Sequence, residues 1–233
     1  MIEKEYPIKL YTDEYDGNKC IVEHENYILA KGGDGTLLRA IYLYSSLNKP
    51  FYGQASGTIN FLMNKEVAPI EKPKFKTFHK IKSKISYIDS EGFKKETVYE
   101  AFNDIMIGGD MNSWISFNVK DEDRIIGKFR GGGLIISTSQ GSTGINKNNN
   151  GVILPLSSKM WSITGDKTNR KINYILSPKI TTIYTDSRTS VNVWIDGQNK
   201  IITNVYKVEL SKGSSVQLIF NEYSNFKKKR KLA

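Results

Sequence analysis

From about residue 79 to residue 210 the sequence lays down one short strand signal after another, and this run limits the fold more than any other feature. "KISYID", "ETVYEAFNDIMI", "WISFNV", "LIIST", "INYILS", "KITTIYT", "VNVWIDG" and "IITNVYKVEL" are rich in β-branched and aromatic residues and are separated by turn residues. That texture predicts an all-β, sandwich-like domain. Residues 5–65 read differently. "YPIKLY", "YILA" and "PFYG" suit strands, but "GTLLRAIYLYSSL" has apolar residues at 37, 38, 41, 43, 44 and 47, close to helical spacing. A helix between strands marks an α/β unit with a parallel sheet. "VQLIFNEY" is expected to rejoin that first domain. The expected organisation is an α/β domain over 1–75 with 208–233 returning, and a β-rich domain over 76–207.

Composition sets outer limits. A chain of 233 residues with thirteen tyrosines has ample length and apolar content for a folded core. One cysteine, Cys20, excludes an intramolecular disulfide framework and fits a reducing compartment. The opening "MIEKEYPIKL" carries acids and no apolar h-region, so no signal peptide is expected. No apolar run approaches the ~18 residues of a membrane helix. These features predict a soluble, cytoplasmic protein with no membrane partner.

The net charge of +10 fits an anionic ligand, a nucleic acid partner or a lysine-rich proteome. In "KPKFKTFHKIKSK", Lys72, Lys74, Lys76, Lys80, Lys82 and Lys84 fall at even positions, which places them on one side of an extended chain. A solvated strand face or lysine-protected sheet edge is the expectation there. The tail "KKKRK", 227–231, reads as a solvated terminus, and no nucleic acid partner is expected.

"KGGDGTLL", residues 31–38, carries the first chemical signal. Gly32, Gly33 and Gly35 let the backbone turn sharply and approach a ligand closely. Between a strand and a helix, such a turn aims N–H groups at an anion, and the helix N-terminus adds to the pull. Asp34 is out of place in a loop that only holds phosphate. Its carboxylate suits the handling of a proton or a metal beside the phosphate. Other chemistries fall away. The two histidines, His24 and His79, stand far apart with no ligand spacing, and neither GxxxxGK[ST] nor GxGxxG occurs.

Three later stretches add to the loop. "AFNDIMI" places Asn103 and Asp104 at the end of a strand run; an amide suits a base edge and a carboxylate suits ribose hydroxyls, though an Asx turn would use the same residues. "FRGGGLIISTSQGSTGINK" is a glycine turn, a buried strand and a hydroxyl-rich turn opening a helix. "VWIDGQ" leaves Asp196 on a turn, as in a hairpin.

In this order and spacing these stretches resemble the NAD kinase family, over about residues 26–200. The family pattern of GGDGT, a Gly-rich segment ending in Phe-Leu, an NE/ND pair, GDG, a Ser/Thr-rich STPTGSTAY stretch and a late Asp is matched by "GGDGT", "GQASGTINFL", Asn103–Asp104, "GGGLIISTSQGSTGI" and Asp196. The resemblance implies an α/β nucleotide-binding domain plus an all-β (sandwich-like) domain sharing a cleft. It implies transfer of the ATP γ-phosphoryl group to the adenosine ribose 2′-hydroxyl of NAD, giving NADP. Asp34 would accept the hydroxyl proton, and Gly32, Gly33, Gly35 and Thr36 would hold phosphates. No protein metal site is expected, because Mg²⁺ would be held mainly by ATP oxygens. Asp104 would hold the ribose, Asn103 the adenine, and Phe61 would line the pocket. Gln140, Thr143, Gly144, Ile145, Asn148 and Asp196 complete the implied NAD-binding set. The family works as homodimers or homotetramers.

The departures cluster at the substrate-holding end. Gln140 replaces a small hydroxyl residue, Ser139 a proline, Gly144 an alanine and Ile145 a tyrosine, while Asn60 stands where a glycine precedes Phe-Leu. Gly132 replaces the Asp of GDG, which in the family faces the nicotinamide. A GGDGT lipid kinase is an alternative, but such kinases follow the loop with a Glu/Asn-bearing helix, where this chain has "LLRA". A non-catalytic dinucleotide-binding regulator is the third reading.

Overall fold

A computed structural model describes residues 8–12, 19–57, 60–109, 113–122, 124–186, 190–197 and 201–221. The basic tail at 227–231 lies outside the described residues. The chain divides into two compact units, Met1–Phe78 with Ser215–Ala233, and His79–Ser214. Both divisions fall inside long strands and not in a linker.

The first unit opens with β1 (Ile8–Thr12), β2 (Cys20–Glu23) and β3 (Ile28–Gly32), followed by α1 (Asp34–Tyr44) and β4 (Phe51–Ala55). β3 and β4 are parallel, with Ile28 opposite Phe51 and Gly32 opposite Ala55. The helix between them is the crossover that parallel neighbours require. β1 and β2 add antiparallel strands at one side, because short connections of that length permit only antiparallel return. So the expected parallel sheet is mixed. α1 buries Thr36, Leu37, Ala40 and Ile41, while Leu43 faces solvent, so the buried stripe is narrower than the apolar pattern. Asn48 at φ 55° ends the turn that follows the helix.

β5 (Lys74–Ile88) carries the chain into the second unit. There follow β6 (Lys94–Ala101), β7 (Asp104–Gly108), β8 (Ile115–Asp121), β9 (Arg124–Ser137), a four-residue α2 (Ile145–Asn148), β10 (Trp161–Thr168), β11 (Asn173–Leu176), β12 (Thr181–Asp186), β13 (Asn192–Ile195) and β14 (Ile201–Ile202). β15 (Val205–Phe220) begins in the second unit and ends in the first, where it lies parallel to β4. Antiparallel pairing joins β12–β8–β9–β7–β13. Alternate residues of these strands, among them Ile105, Ile107, Phe117, Val119, Leu134, Ile136, Ile183 and Val193, form the core together with Ile163 of β10. Alternation of period two puts them all on one side.

Two expectations are corrected. "ETVYEAFNDIMI" is two strands, broken by a bend at Phe102–Asn103. Lys80 is buried at 8% exposure, with Nζ 4.0 Å from Glu100 Oε2, so it leaves the solvated face that Lys74, Lys76, Lys82 and Lys84 share. Its β5 position packs against an acid that rewards burial.

Asn64 ties the first unit together. At 3% exposure its side-chain amide donates to the carbonyls of Gly53 (3.1 Å) and Ile219 (2.9 Å). Its oxygen accepts from the Asn221 N–H at 3.0 Å. A bare methyl would strand all three buried partners. Asn64→Ala should therefore lower unfolding free energy by about 3 kcal/mol, read from urea denaturation.

Candidate functional site

The glycine turn joins β3 to α1. Gly32 sits at φ +149°, and a Cβ there would run into Thr36 Oγ1, so a side chain is excluded on both counts. Gly33 caps α1 in an extended conformation, its carbonyl accepting from the N–H groups of Thr36 (3.0 Å) and Leu37 (3.2 Å). Asp34 is the first helical residue. Its Oδ2 accepts from the Phe61 N–H at 2.7 Å and its Oδ1 from the Leu62 N–H at 2.9 Å. The carboxylate thus fastens the Phe61–Leu62 segment to the start of the helix, a link that sequence spacing alone does not reveal. Phe61 is half-buried beside it. Asn60, 5% exposed, donates to the Gly57 carbonyl at 2.8 Å, and its buried Oδ1 has no hydrogen-bond partner. That oxygen stands 3.5 Å from where a Cβ on Gly33 would lie.

In the second unit, Asn103 and Asp104 sit at the bend that ends β6 and opens β7. A bend has no ladder partners, so its backbone groups must be satisfied elsewhere. Asp196 supplies the acceptors. Its Oδ2 accepts from the Phe102 N–H at 2.7 Å, and its Oδ1 from those of Asn103 (2.7 Å) and Asp104 (3.0 Å). The Asp196 N–H in turn donates to the Asp104 carbonyl at 2.9 Å. Asp196 lies at φ 51° and Gly197 at φ 62°, a left-handed hairpin corner that Asp tolerates better than most residues. With 8% exposure, Asp196 is buried behind the bend. Burial pushes its carboxyl up to about 6, against the opposing pull of the three N–H groups and Lys80. Asp104 is pushed up to about 7, by burial first and by Asp196 second. Asn103 Oδ1 is buried with no partner, an acceptor left for a donor from elsewhere.

The hydroxyl-rich turn is built around Asn146. This fully buried amide donates to the carbonyls of Ser142 (3.1 Å) and Val152 (3.0 Å). Its oxygen accepts from the hydroxyls of Ser162 (3.1 Å) and Thr164 (2.7 Å). Asn146 is absent from the implied site set; the signal that could have found it is an amide directly after the turn's hydroxyls, where four buried polar groups need one partner. Thr143 is half-buried, whereas Gly144, Ile145 and Asn148 are exposed. Gln140 is buried at 4% exposure, with its amide on the carbonyls of Phe102 and His79.

Gly132 lies within β9, paired through its neighbours to β7 and β10. A Cβ there would stand 3.4 Å from Asp166 Oδ2, so a carboxylate already lies beside the position where the family pattern has Asp.

No family model matches the chain. A Rickettsia africae protein named NAD kinase is 30% identical over 220 residues, spanning 88% of this chain and 84% of its own length. The chain belongs to the NAD kinase family. A Xylella fastidiosa NAD kinase is 29% identical over 154 residues, and that match spans 62% of this chain and 56% of the relative. Two solved structures share the fold. An Archaeoglobus fulgidus NAD kinase in complex with ATP has TM-score 0.71 at 19% identity, covering 89% of this chain and 84% of that one. Yeast NADH kinase complexed with NADH has TM-score 0.70 at 16% identity, covering 86% and 64%.

A carboxyl with a raised folded-state pKa binds its proton more tightly in the folded protein than in the unfolded chain. Its contribution to stability is complete below about pH 4 and is lost as pH rises through about 7. Asp104→Asn removes that loss. This NAD kinase family member should then gain ~5 °C in melting temperature at pH 8, with a flatter decline between pH 4 and 8. A series of thermal scans across that range checks it.

Proposed function

We propose that the chain is an NAD kinase, transferring the γ-phosphoryl group of ATP to the adenosine ribose 2′-hydroxyl of NAD to give NADP. The observation that carries this reading is Asn103 Oδ1, a buried acceptor without a partner on a bend whose backbone is already satisfied. Such an atom costs stability unless a ligand donor completes it, and the exocyclic amine of adenine is a donor of that kind. Asp104, next along the bend, would accept from ribose hydroxyls, and Thr143 would add a polar contact.

The glycine turn supplies the other half of the chemistry. The N-terminus of α1, with the glycine turn that leads into it, suits phosphate oxygens. Asp34 would take the proton of the attacking hydroxyl. Its oxygens accept from the Phe61 and Leu62 N–H groups. These bonds also hold the carboxylate in one orientation, which general-base catalysis needs. Among the described residues no three His, Cys, Asp or Glu side chains come together as a metal site. Mg²⁺ would arrive on the phosphate oxygens of ATP, where it offsets charge in phosphoryl transfer. Among the described residues, no helix is long and apolar enough to cross a membrane. A cytoplasmic location is proposed. A homodimer or homotetramer is the proposed working form.

A coupled assay for NADP formation from ATP and NAD tests the reading directly; no NADP from folded protein overturns it. In the same assay Asp34→Asn should lower turnover by ~10²- to 10⁴-fold with the melting temperature retained. Added Mg²⁺ should not restore it. Recovery at high Mg²⁺ would move Asp34 from proton transfer to metal organisation.

A further inference from the structure

The bend at Phe102–Asn103 is gripped on both of its backbone edges. Asp196 takes the N–H edge, as described above. The carbonyl edge is taken by the hydroxyl-rich turn. Phe102 O accepts from Thr138 Oγ1 (2.8 Å) and Gln140 Nε2 (2.7 Å). Asn103 O accepts from the Thr138 N–H (2.9 Å) and Thr138 Oγ1 (3.0 Å). The turn comes so close that a Cβ on Gly141 would run into the Asn103 carbonyl.

Gln140 makes the longest reach in this grip. Besides Phe102 O, its amide donates to the His79 carbonyl of β5 at 3.1 Å, and its oxygen accepts from Ser139 Oγ at 3.2 Å. Both amide hydrogens and the oxygen are engaged inside the protein, at 4% exposure. A side chain in that state has no donor to turn toward a base. It does connect three segments: β5, the bend and the hydroxyl-rich turn. The small hydroxyl residue that the family pattern carries at this position is too short to span two carbonyls from different strands.

We propose that Gln140 is a positioning residue: it braces the Asn103–Asp104 bend from the carbonyl side while Asp196 braces it from the N–H side, so that Asn103 Oδ1 and the Asp104 carboxylate meet the dinucleotide in one fixed geometry, and Gln140 itself does not touch the substrate. This rests on the NAD kinase reading above. Of the two side chains assigned to the nucleoside, Asn103 lies in the bend outside any ladder, and Asp104 follows it directly as the first residue of β7, opposite Ser137. Their placement therefore depends on whatever holds the backbone beneath them. A loosened bend lowers the fraction of molecules ready to bind NAD, which raises apparent KM by the inverse of that fraction.

The test is Gln140→Met, close in length and without donors. Two measurements are made: steady-state kinetics with NAD and ATP, and hydrogen exchange of the Phe102–Asp104 amides without substrate. KM for NAD should rise ~5- to 10-fold, the scale of one lost brace. KM for ATP and kcat should stay within ~2-fold, and the three amides should exchange faster. Gln140→Asn keeps the amide but cannot span both carbonyls, and serves if the methionine variant does not fold; it should move the same quantities by a smaller factor. Unchanged exchange overturns the proposal, as does faster exchange with an unchanged KM for NAD. A parallel rise in both KM values or a dominant loss of kcat also overturns it. If wild-type protein makes no NADP while the variant's exchange still rises, the functional reading fails and the brace on the bend stands.

Discussion

Three consecutive backbone N–H groups converge on one buried carboxylate, Asp196, and the bend that carries Asn103 and leads into Asp104 depends on that contact. A β-strand that bends out of its ladder leaves donors and acceptors that must be paired or paid for. Asp196 answers with charge-assisted bonds, each worth about 1.5–3 kcal/mol in mutational series. Against this stands the desolvation of a buried anion, which the raised carboxyl pKa records. Lys80, buried with it and paired with Glu100, lowers that cost. The result is a bend held by an electrostatically expensive arrangement.

The first unit repeats the device with Asp34. There too an acid binds successive N–H groups from a distant segment, Phe61 and Leu62, and so fastens a loop to the start of a helix. The two carboxylates differ in their surroundings. Asp196 sits behind a corner with its oxygens engaged by the bend, whereas Asp34 stands among glycines at the first position of α1. One is suited to holding backbone, the other to holding backbone while accepting a proton. In the same way Asn146 and Gln140 are both buried amides, and both act on carbonyls and hydroxyls of the protein.

Much of the fold is legible in the residues themselves. The strand-rich texture after residue 79 and the helix over "GTLLRAIYLY" follow from local periodicity, because period two and period 3.6 are properties of the chain segment alone. Less legible is the break within "ETVYEAFNDIMI". Its residues favour strand throughout, and the bend exists because Asp196, Thr138 and Gln140 stand ready to pair its backbone. Lys80 is a similar case: alternation places it with the exposed lysines, and Glu100 and Asp196 nearby make its burial tolerable.

The sequence by itself determined the glycine turn and its single acid at the start of a helix, since close backbone approach and helix initiation are written in adjacent residues. It did not determine what Asp196, Gln140 and Asn146 do. Each of these lies tens of residues from at least one partner, across strands whose register is set by the whole core, and a side chain's hydrogen-bond partners are fixed only once that register brings them within about 3 Å.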